Sequence, residues 1–260
     1  MSDSQATCRQ VLESRKVLKE ILGHKYPSAA ETEEETGAAK ELYGRDEYDF
    51  RDVDIDLEPE DLPDPEDYSF SVKHHDIPEW NLHIVYLKFP EEGDSSKVNI
   101  TRAYIEGEVE GIYELNNKED NIMIILPLNT STAPATYINY VDNVNMTTDK
   151  PDGKSELAKK ILENENYTLR HMNNVQIFHI NALTINILKH EMVPKHETIR
   201  NEDEIENILK EHNCSNKTQF PVIQKHDAIA EILGLVPGDM VKIHRPSIAS
   251  GKSIFYRICK

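Results

Sequence analysis

The residues that most suggest chemistry in this chain lie close to its C-terminus. Gly251-Lys-Ser253 matches the last three positions of a phosphate-binding loop. That motif also requires a glycine at position 246, where this chain has Pro246, and a helix after the lysine whose N-terminus supports the phosphates. Here a segment of strand-like composition follows, so the sequence predicts a hairpin turn at this position and not a nucleotide site.

Paired histidines are the second candidate group. His190-Glu191 and His196-Glu197 are spaced HExxxxHE, not HExxH as in zinc hydrolases, and Pro194 would break the helix needed to bring both imidazoles together. His74-His75 has no third ligand at a recognisable spacing. The chain also contains no GxSxG elbow and no GxGxxG after a strand. The sequence therefore predicts no catalytic residue, no metal site and no cofactor.

Charge is distributed very unevenly along the chain. The 260 residues carry 29 Lys and Arg against 47 Asp and Glu, a formal net charge of −18. Residues 31–67 hold 17 acids and three bases, or −14, whereas the rest holds 30 acids and 26 bases. The whole-chain charge argues against a protein that binds nucleic acid by itself. The acidic run, which includes three prolines, is predicted to be mostly loop or disorder and to serve as a solvated or partner-binding surface.

Targeting and compartment follow from what the sequence does not contain. The first ten residues include no apolar run, and no stretch approaches the length of a membrane span. The three cysteines are far apart, so they form no disulfide framework and no CxxC metal motif. We therefore expect an intracellular, reducing location and no membrane contact.

Periodicity and punctuation predict the following elements. Helices are expected at 5–22, 95–108, from Pro134, at 155–164, after a cap at Asn201, and after a cap at Asp227 that ends at Gly234. Strands are expected at 82–89, 122–126, around 183–187, and at 240–245 and 253–258, the last two forming a hairpin. The fold class is thus α+β, with a mixed α/β N-terminal part and a small C-terminal module containing the hairpin.

Basic residues accumulate in the C-terminal region. Lys225–Lys260 contains six Lys and Arg against three acids. Alternation along a strand places Lys242 and His244 on one face of the hairpin and Arg245 and Arg257 on the other. This surface fits a protein partner, a phosphate backbone or ordinary solvent exposure, and composition alone does not choose among them.

The same region has a recognisable pattern. Residues 220–258 read FPVIQKHDAIAEILGLVPGDMVKIHRPSIASGKSIFYRI, and 183–196 read LTINILKHEMVPKH. Both blocks resemble the C-terminal module of the fifth common subunit of eukaryotic-type DNA-directed RNA polymerases, which has a counterpart in the archaeal polymerase. The shared positions are Pro221, Ile223, Asp227, Gly234, Gly238, Asp239, Lys242, Ile243, Arg245, Ser247, Gly251, Tyr256 and Arg257.

Departures from the family pattern are also clear. The family's DPV stands here as Asp227-Ala-Ile229, its TAG as Ala249-Ser-Gly251, and the acidic insertion at about 31–67 is not a family feature. Such divergence suggests a fast-evolving lineage, for which a large DNA virus with its own polymerase is one source. The expected location is then the virion or a cytoplasmic viral factory, and for a cellular protein the nucleus.

The resemblance implies a non-catalytic polymerase subunit. A jaw-like N-terminal domain, 1–170, would lie near downstream DNA, and an assembly module, 178–260, would dock on the largest subunit. The implied docking residues are Asp227, Gly234, Gly238, Asp239, Lys242, Arg245, Ser247, Gly251, Tyr256 and Arg257. Candidate DNA-proximal residues are Lys97, Arg102, Ser131 and Thr132. The alternative is a free-standing transcription adaptor whose acidic segment binds a basic partner.

Overall fold

The computed structural model describes residues 3–23, 45, 47–54, 57, 68–89, 97–128, 130, 134–147, 150–247 and 251–260. The N-terminal part contains helices α1 (Asp3–Leu22), α2 (Arg102–Leu115), α3 (Pro134–Thr147) and α4 (Glu156–Glu163), with strands β1 (Tyr48–Asp49), β2 (Phe70–His74), β3 (Asn81–Tyr86), β4 (Asn121–Leu126) and β5 (Val175–His179). The C-terminal part contains β6 (Lys195–Ile199), α5 (Glu202–Glu211), β7 (Val222–Ile223), α6 (Ala228–Leu233), β8 (Met240–Ser247) and β9 (Gly251–Cys259). Short 3₁₀ turns lie at Leu169–His171, Ile180–Leu183, Ile187–Lys189 and Lys217–Gln219.

The first five strands form one mixed sheet in the order β1-β2-β3-β4-β5. β1, β2 and β3 pair antiparallel, whereas β3, β4 and β5 pair parallel. Every residue of β4 is buried because helices cover both faces, as is usual for parallel strands. α2 and α3 pack on one face through residues such as Ile105 and Val141, and α1 covers the other through Leu18 and Ile21.

The last four strands form a second sheet in the order β6-β8-β9-β7. β8 pairs antiparallel with both β6 and β9, and β7 pairs parallel with the end of β9. α5 packs against this sheet through Ile205 and Ile208. The predicted mixed α+β class, with a strand-rich C-terminal module, is therefore confirmed.

One hydrophobic cluster runs through both sheets. It joins α1 and the first sheet to Ile223, Leu233, Val241 and Ile243 of the C-terminal part. β5 itself spans the predicted boundary at 170–178. The division into two domains stays a prediction, but the two parts share side chains in a common core.

Most predicted elements are confirmed, and the caps explain why. Ser155 accepts from the amide of Ala158 at the start of α4, and Asn201 accepts from the amides of Asp203 and Glu204 at the start of α5. These short polar side chains satisfy amide groups that the first helical turn leaves unpaired. Local capping chemistry thus places helix starts correctly.

The predicted helix at 95–108 is displaced. α2 begins only after Thr101, whose hydroxyl accepts from the amide of Tyr104, and it continues to Leu115. Ile105 and Val109 are buried as expected, but Val98 lies in an isolated bridge with Thr130. The prediction for Ile105 and Val109 was correct, and the cap at Thr101 determines where the helix begins.

The predicted strand around Leu183–Ile187 is wrong. The chain forms 3₁₀ turns at Ile180–Leu183 and Ile187–Lys189. Asn186 accepts from the amide of Leu188, and the hydroxyl of Thr184 donates to the carbonyl of Asn181. Such local side-chain bonds compete with the hydrogen bonds of a strand. The alternation of apolar residues therefore predicted a strand where the chain forms turns.

The described part of 31–67 is mostly loop, as predicted, but two of its residues form a short strand and some of its side chains are buried. Tyr48 and Asp49 pair with β2, and Tyr48 and Phe50 are buried in the main core. Glu47 bonds through its amide to the carbonyl of Leu22 at the end of α1. The acidic composition concealed a short edge strand, and the remaining residues of this run lie outside the described residues.

Candidate subunit-docking site

The hairpin β8–β9 carries most of the predicted docking residues. Its register pairs Lys242 with Tyr256, Val241 with Arg257 and Arg245 with Ser253. Side chains directly opposite each other share a face, so Lys242 and Tyr256 lie on one face and Arg245 and Arg257 on the other. The predicted division of basic residues between the faces is confirmed.

The face of Arg245 and Arg257 combines charge with exposed apolar surface. The guanidinium of Arg245 stacks over the ring of Phe255 at 4.9 Å, and Phe255 remains 46% exposed. Both arginines are half-buried, and within the described chain neither forms an ion pair with a carboxylate. An Arg beside an exposed aromatic ring is typical of interface anchors.

The face of Lys242 and Tyr256 is organised by one carboxylate. Glu197 of β6 lies 2.9 Å from the Nε2 of His244, 3.1 Å from the Nζ of Lys195 and 3.5 Å from the Nζ of Lys242. Burial opposes ionisation of Glu197, but His244 and Lys195 outweigh it and lower its pKa to about 2. Tyr256 packs edge-on against His212 and Phe220. The charged and aromatic side chains of this face therefore already have partners within the chain.

The strand ends at the tip of the hairpin are described only in their backbone. Ser247 pairs with Gly251, which has a φ of 75° and nothing within 4 Å of an added Cβ. Residues 248–250 lie outside the described part. The glycine permits the left-handed conformation at the start of β9.

Three further predicted docking residues have structural roles around α6. Asp227 caps the helix by accepting from the amide of Ile229, and Gly234 ends it with a φ of 63°. A Cβ at Gly234 would lie 2.6 Å from the guanidinium carbon of Arg45. Gly238 has a φ of 103°, and a Cβ there would meet the side chain of Arg170, which donates to the carbonyl of Pro237. These glycines let the N-terminal part approach the module closely.

Asp239 is buried, so its side chain does not form part of an accessible surface. It accepts from the amide of Val236 at 3.1 Å and lies 3.1 Å from the Nε2 of His171. Burial opposes its ionisation, but His171 and Arg200 outweigh it and lower the pKa of Asp239. Asp239 therefore holds the turn before β8 through internal contacts with His171 and Arg200, and its place among the docking residues stays a prediction.

A buried ionic network that the sequence did not predict joins the two parts of the chain. The Nη1 of Arg200, just after β6, donates to Glu47 at 2.6 Å, and the Nε of Arg45 donates to Glu47 at 2.9 Å. Burial opposes ionisation of Glu47, but these guanidinium groups outweigh it and lower its pKa to about 2. The Nε of Arg200 also lies 3.5 Å from Asp239.

One signal in the sequence could have identified this network. Tyr48 and Phe50 alternate with acids in the middle of the acidic run, which is the pattern of a half-buried strand. Glu47 and Arg45 flank that pattern. Arg200 had no comparable signal, since its partner lies 153 positions earlier in the chain.

The candidate DNA-proximal residues are partly brought together. Val98 bridges Thr130 in parallel, which places Lys97 beside the segment that leads into α3. Arg102 begins α2 and pairs with Glu106 at 2.7 Å, and both Lys97 and Arg102 are exposed. α2 follows β3 and α3 follows β4, so both helix N-termini lie at the same edge of the sheet. Ser131 and Thr132 lie outside the described residues, although α3 does begin at Pro134 as predicted.

A Ser–His–Asp series occurs at a distance from these sites. The Oγ of Ser71 lies 2.7 Å from the Nδ1 of His83, whose Nε2 lies 3.2 Å from Asp120. Asp120 also accepts from the amide of Asn81 at 2.8 Å, which ties the start of β3 to the turn before β4. Ser71 lies within a regular strand and not at the strand-to-helix turn that presents the serine of a hydrolase. The series links β2, β3 and the turn before β4.

The described residues offer neither a metal site nor a membrane-spanning helix. Across them, no group of three or more His, Cys, Asp or Glu side chains is arranged to hold a metal ion. None of the helices described above combines the length and the apolar character needed to cross a membrane.

The hairpin and the sheet beside it are joined to the N-terminal part by a shared hydrophobic core. Comparison with known proteins gives the family. The model for the C-terminal domain of RNA polymerase Rpb5 matches residues 185–259. The subunit rpabc1 of DNA-directed RNA polymerases I, II and III from Dictyostelium discoideum is 27% identical over 186 residues, covering 66% of this chain and 84% of the relative.

Archaeal relatives match the C-terminal module more strongly. The DNA-directed RNA polymerase subunit Rpo5 of Archaeoglobus fulgidus is 46% identical over 69 residues, covering 26% of this chain and 88% of the relative. Rpo5 of Methanosarcina barkeri is 42% identical over 72 residues, covering 28% of this chain and 90% of the relative. The chain belongs to the family of RNA polymerase subunits that Rpb5 and Rpo5 represent, as the resemblance in its sequence predicted.

Proposed function

We propose that the chain is a non-catalytic subunit of a multisubunit DNA-directed RNA polymerase whose C-terminal module, 178–260, docks on the largest subunit. The observation that carries the proposal is the 46% identity of this module to nearly the whole of an archaeal polymerase subunit. The Arg245–Phe255 pair, in which Phe255 is exposed, supports the same role. We propose no cofactor and no small-molecule ligand.

The docking surface is proposed to consist of the accessible members of the predicted set. Lys242, Arg245, Tyr256 and Arg257 lie on the hairpin faces, and Ser247 and Gly251 lie at its tip. Asp227, Gly234 and Gly238 contribute indirectly, because they fix the start of α6 and the turns that follow it.

The N-terminal part is proposed to form a jaw near downstream DNA. Lys97 and Arg102 lie at the sheet edge where α2 and α3 begin, and helix N-termini favour phosphate groups. The polymerase as a whole supplies the affinity for DNA, so the −18 of this chain does not oppose such a position. The proposed location follows the polymerase: the nucleus of a cell, or a virion or viral factory.

Co-purification tests this function directly. A tagged chain, expressed in its own host or infected cell, is expected to bring down the other polymerase subunits in fixed stoichiometry. A subunit integrated into the polymerase should remain in it at about 1 M salt, at which the screening length is only about 3 Å, whereas a partner held by charge alone should dissociate. A complex that dissociates at high salt, or that contains one basic partner and no polymerase, would instead support the adaptor.

A further inference from the structure

A cluster of ionisable side chains joins α3 to the segment that leads into α6. The Nε2 of His226 lies 2.9 Å from a carboxylate oxygen of Asp142, and its Nδ1 lies 3.3 Å from a carboxylate oxygen of Glu231. The Nζ of Lys225 pairs with the other carboxylate oxygen of Asp142. Both nitrogens of one imidazole ring thus face carboxyl groups, one from the N-terminal part of the chain and one from the C-terminal part.

This arrangement requires one proton more than a neutral imidazole beside two carboxylates contains. A carboxylate only accepts hydrogen bonds, and a neutral imidazole has a single N–H. The two contacts of His226 are therefore both hydrogen bonds only if the ring carries two protons or if one carboxyl group is protonated. Burial raises the pKa of Glu231 against the opposing effect of His226, which helps to retain a proton in the cluster.

The other charged groups around the cluster come from neighbouring segments. Asp227 caps α6 beside it, and Lys225 precedes His226 in the chain. Lys150, which follows α3, donates to the carbonyl of Asn173 at 2.6 Å, and burial together with the charge of Lys225 lowers its pKa to about 8. The residues of β5 that lie beside the cluster are uncharged. Because Lys150 also loses its charge near pH 8, an experiment has to separate its titration from that of His226.

The contact between α3 and the C-terminal part is not a sealed core at this place. The hydrophobic cluster around α3 includes, among the described residues, none beyond Ile177. Val141 and Leu235 line a cavity of about 50 Å³ next to the charged cluster, which is large enough for several water molecules. The Nε2 of Gln176 donates to the carbonyl of Glu231 at 3.0 Å and holds α6 against β5 independently of pH. Loss of the carboxylate contacts should therefore loosen α3 while α6 stays in place.

We propose that His226 is a proton-controlled latch between α3 and the C-terminal part of the chain. With the additional proton it bridges Asp142 and Glu231, and without it one of the two contacts places two acceptors against each other. The latched form binds one proton more than the open form, so opening is favoured as pH rises. α3 begins at the sheet edge proposed to lie near DNA, but the latch itself does not depend on the proposed function.

Amide hydrogen exchange in the full chain measures the opening of the latch. After correction for the intrinsic effect of pH on exchange, protection of the second half of α3 should fall by about fivefold between about pH 6 and pH 9, because a partly exposed charged contact is lost. Protection of β4, which lies in the core, should stay the same. Protection of α3 that is equal at the two pH values would overturn the proposal.

Two variants separate the effect of the proton from that of the side chains. Glu231→Gln supplies an N–H to the Nδ1 of His226, so a neutral ring bridges both partners and α3 should stay protected at about pH 9. His226→Gln cannot donate to carboxylates on two sides, so α3 should exchange about fivefold faster than in the parent chain at about pH 6, with no further change on raising the pH. A pH dependence equal to that of the parent chain in either variant would contradict the latch.

Two further variants serve as controls. His190→Gln replaces an exposed histidine whose Nδ1 accepts from the amide of Met192, and it should keep the pH dependence of the parent chain. Lys150→Arg stays charged across the whole range and should keep it as well. Loss of the pH dependence in either control would assign it to that residue and overturn the role of His226. These measurements need no polymerase, so their outcome is separate from that of the co-purification test.

Discussion

Glu47 is the residue whose role differs most from what its sequence context indicates. It stands in a run of 17 acids, yet it is the shared partner of Arg45 and Arg200 in a buried network. A carboxylate placed between two guanidinium groups is held ionised, and its removal leaves two buried positive charges facing each other. The composition of a segment therefore does not predict whether a single residue within it is buried or paired.

Neutralising Glu47 should therefore destabilise the chain. Glu47→Gln should lower the free energy of unfolding by about 3–5 kcal/mol, the usual cost of breaking a buried pair. Glu79→Gln is the matched control, since Glu79 pairs with Lys160 at an exposed site and should contribute about 1 kcal/mol or less. Urea unfolding measures both, and similar losses for the two variants would show that the network is not buried in solution.

The hairpin arginines lead to a second prediction at the same scale. Arg245→Glu with Arg257→Glu should reduce incorporation into polymerase by about tenfold or more, because interface arginines are frequent energetic anchors. Lys16→Glu with Lys159→Glu makes the same change in net charge at exposed helical sites and should assemble normally. Full assembly of the Arg245/Arg257 variant would remove these residues from the docking surface.

At the scale of elements, sequence reasoning succeeded where local chemistry decides the structure. The helix from Ser155, the caps at Asn201 and Asp227 and the hairpin strands were predicted because each depends on neighbours in the sequence. β1 was missed because it is two residues long and is stabilised by pairing with His74 and Lys73. The turns at Ile180–Lys189 were missed because bonds of Asn186 and Thr184 override the apolar alternation.

The docking site was predictable to a similar extent. The family pattern identified the hairpin, and strand alternation assigned its faces. The internal role of Asp239 was not predictable, since it depends on His171 and Arg200, which are distant in sequence. Neither was the approach of Arg45 to Gly234, which requires the packed structure.

Because part of the acidic run is buried, deleting the run should have a different effect from the one its composition predicts. Composition alone predicts that removing 31–67 leaves assembly intact. Because 45–54 supplies β1, Phe50 and the network residues Arg45 and Glu47, its removal should cost well over 3 kcal/mol of folding stability and thereby reduce assembly. Removing 31–43 keeps these residues and should leave both unchanged. Thermal unfolding and polymerase incorporation of the two deletions measure the difference.

At the scale of the whole molecule, the buried titratable groups set a pH dependence. His74 stacks on Trp80, its Nδ1 accepts from the amides of Asp76 and Ile77, and its Nε2 lies 2.9 Å from Tyr167. Burial lowers its pKa to about 4, from 6.5 when unfolded, against the opposing charges of Glu47 and Asp76. The unfolded chain thus takes up this proton first as pH falls, and stability is lost between about pH 6.5 and 4.

Acid titration should show this loss in two stages. His74 should contribute roughly 3 kcal/mol that is present above pH 6.5 and absent below 4, at 1.36 kcal/mol for each pKa unit. Glu47, with its pKa lowered to about 2, contributes stability that is present above pH 4.5 and is lost as pH falls towards 2. Urea unfolding across pH 7 to 3 measures the first stage. A His74→Gln variant should lose less stability between pH 6.5 and 4 than the parent chain, and the loss that remains includes those of His179 and His196, whose pKa values burial also lowers. A slope equal to that of the parent chain would refute the assignment.

The common core of the two sheets has a mechanical consequence. Ile223, Leu233, Val241 and Ile243 lie in the same cluster as α1 and β3, and Glu47 ties Arg200 to the first sheet. A hinge between the two ends would have to separate close-packed side chains and expose a paired charge. Force applied where α2 and α3 begin should therefore reach the β8–β9 hairpin without being absorbed by a flexible joint.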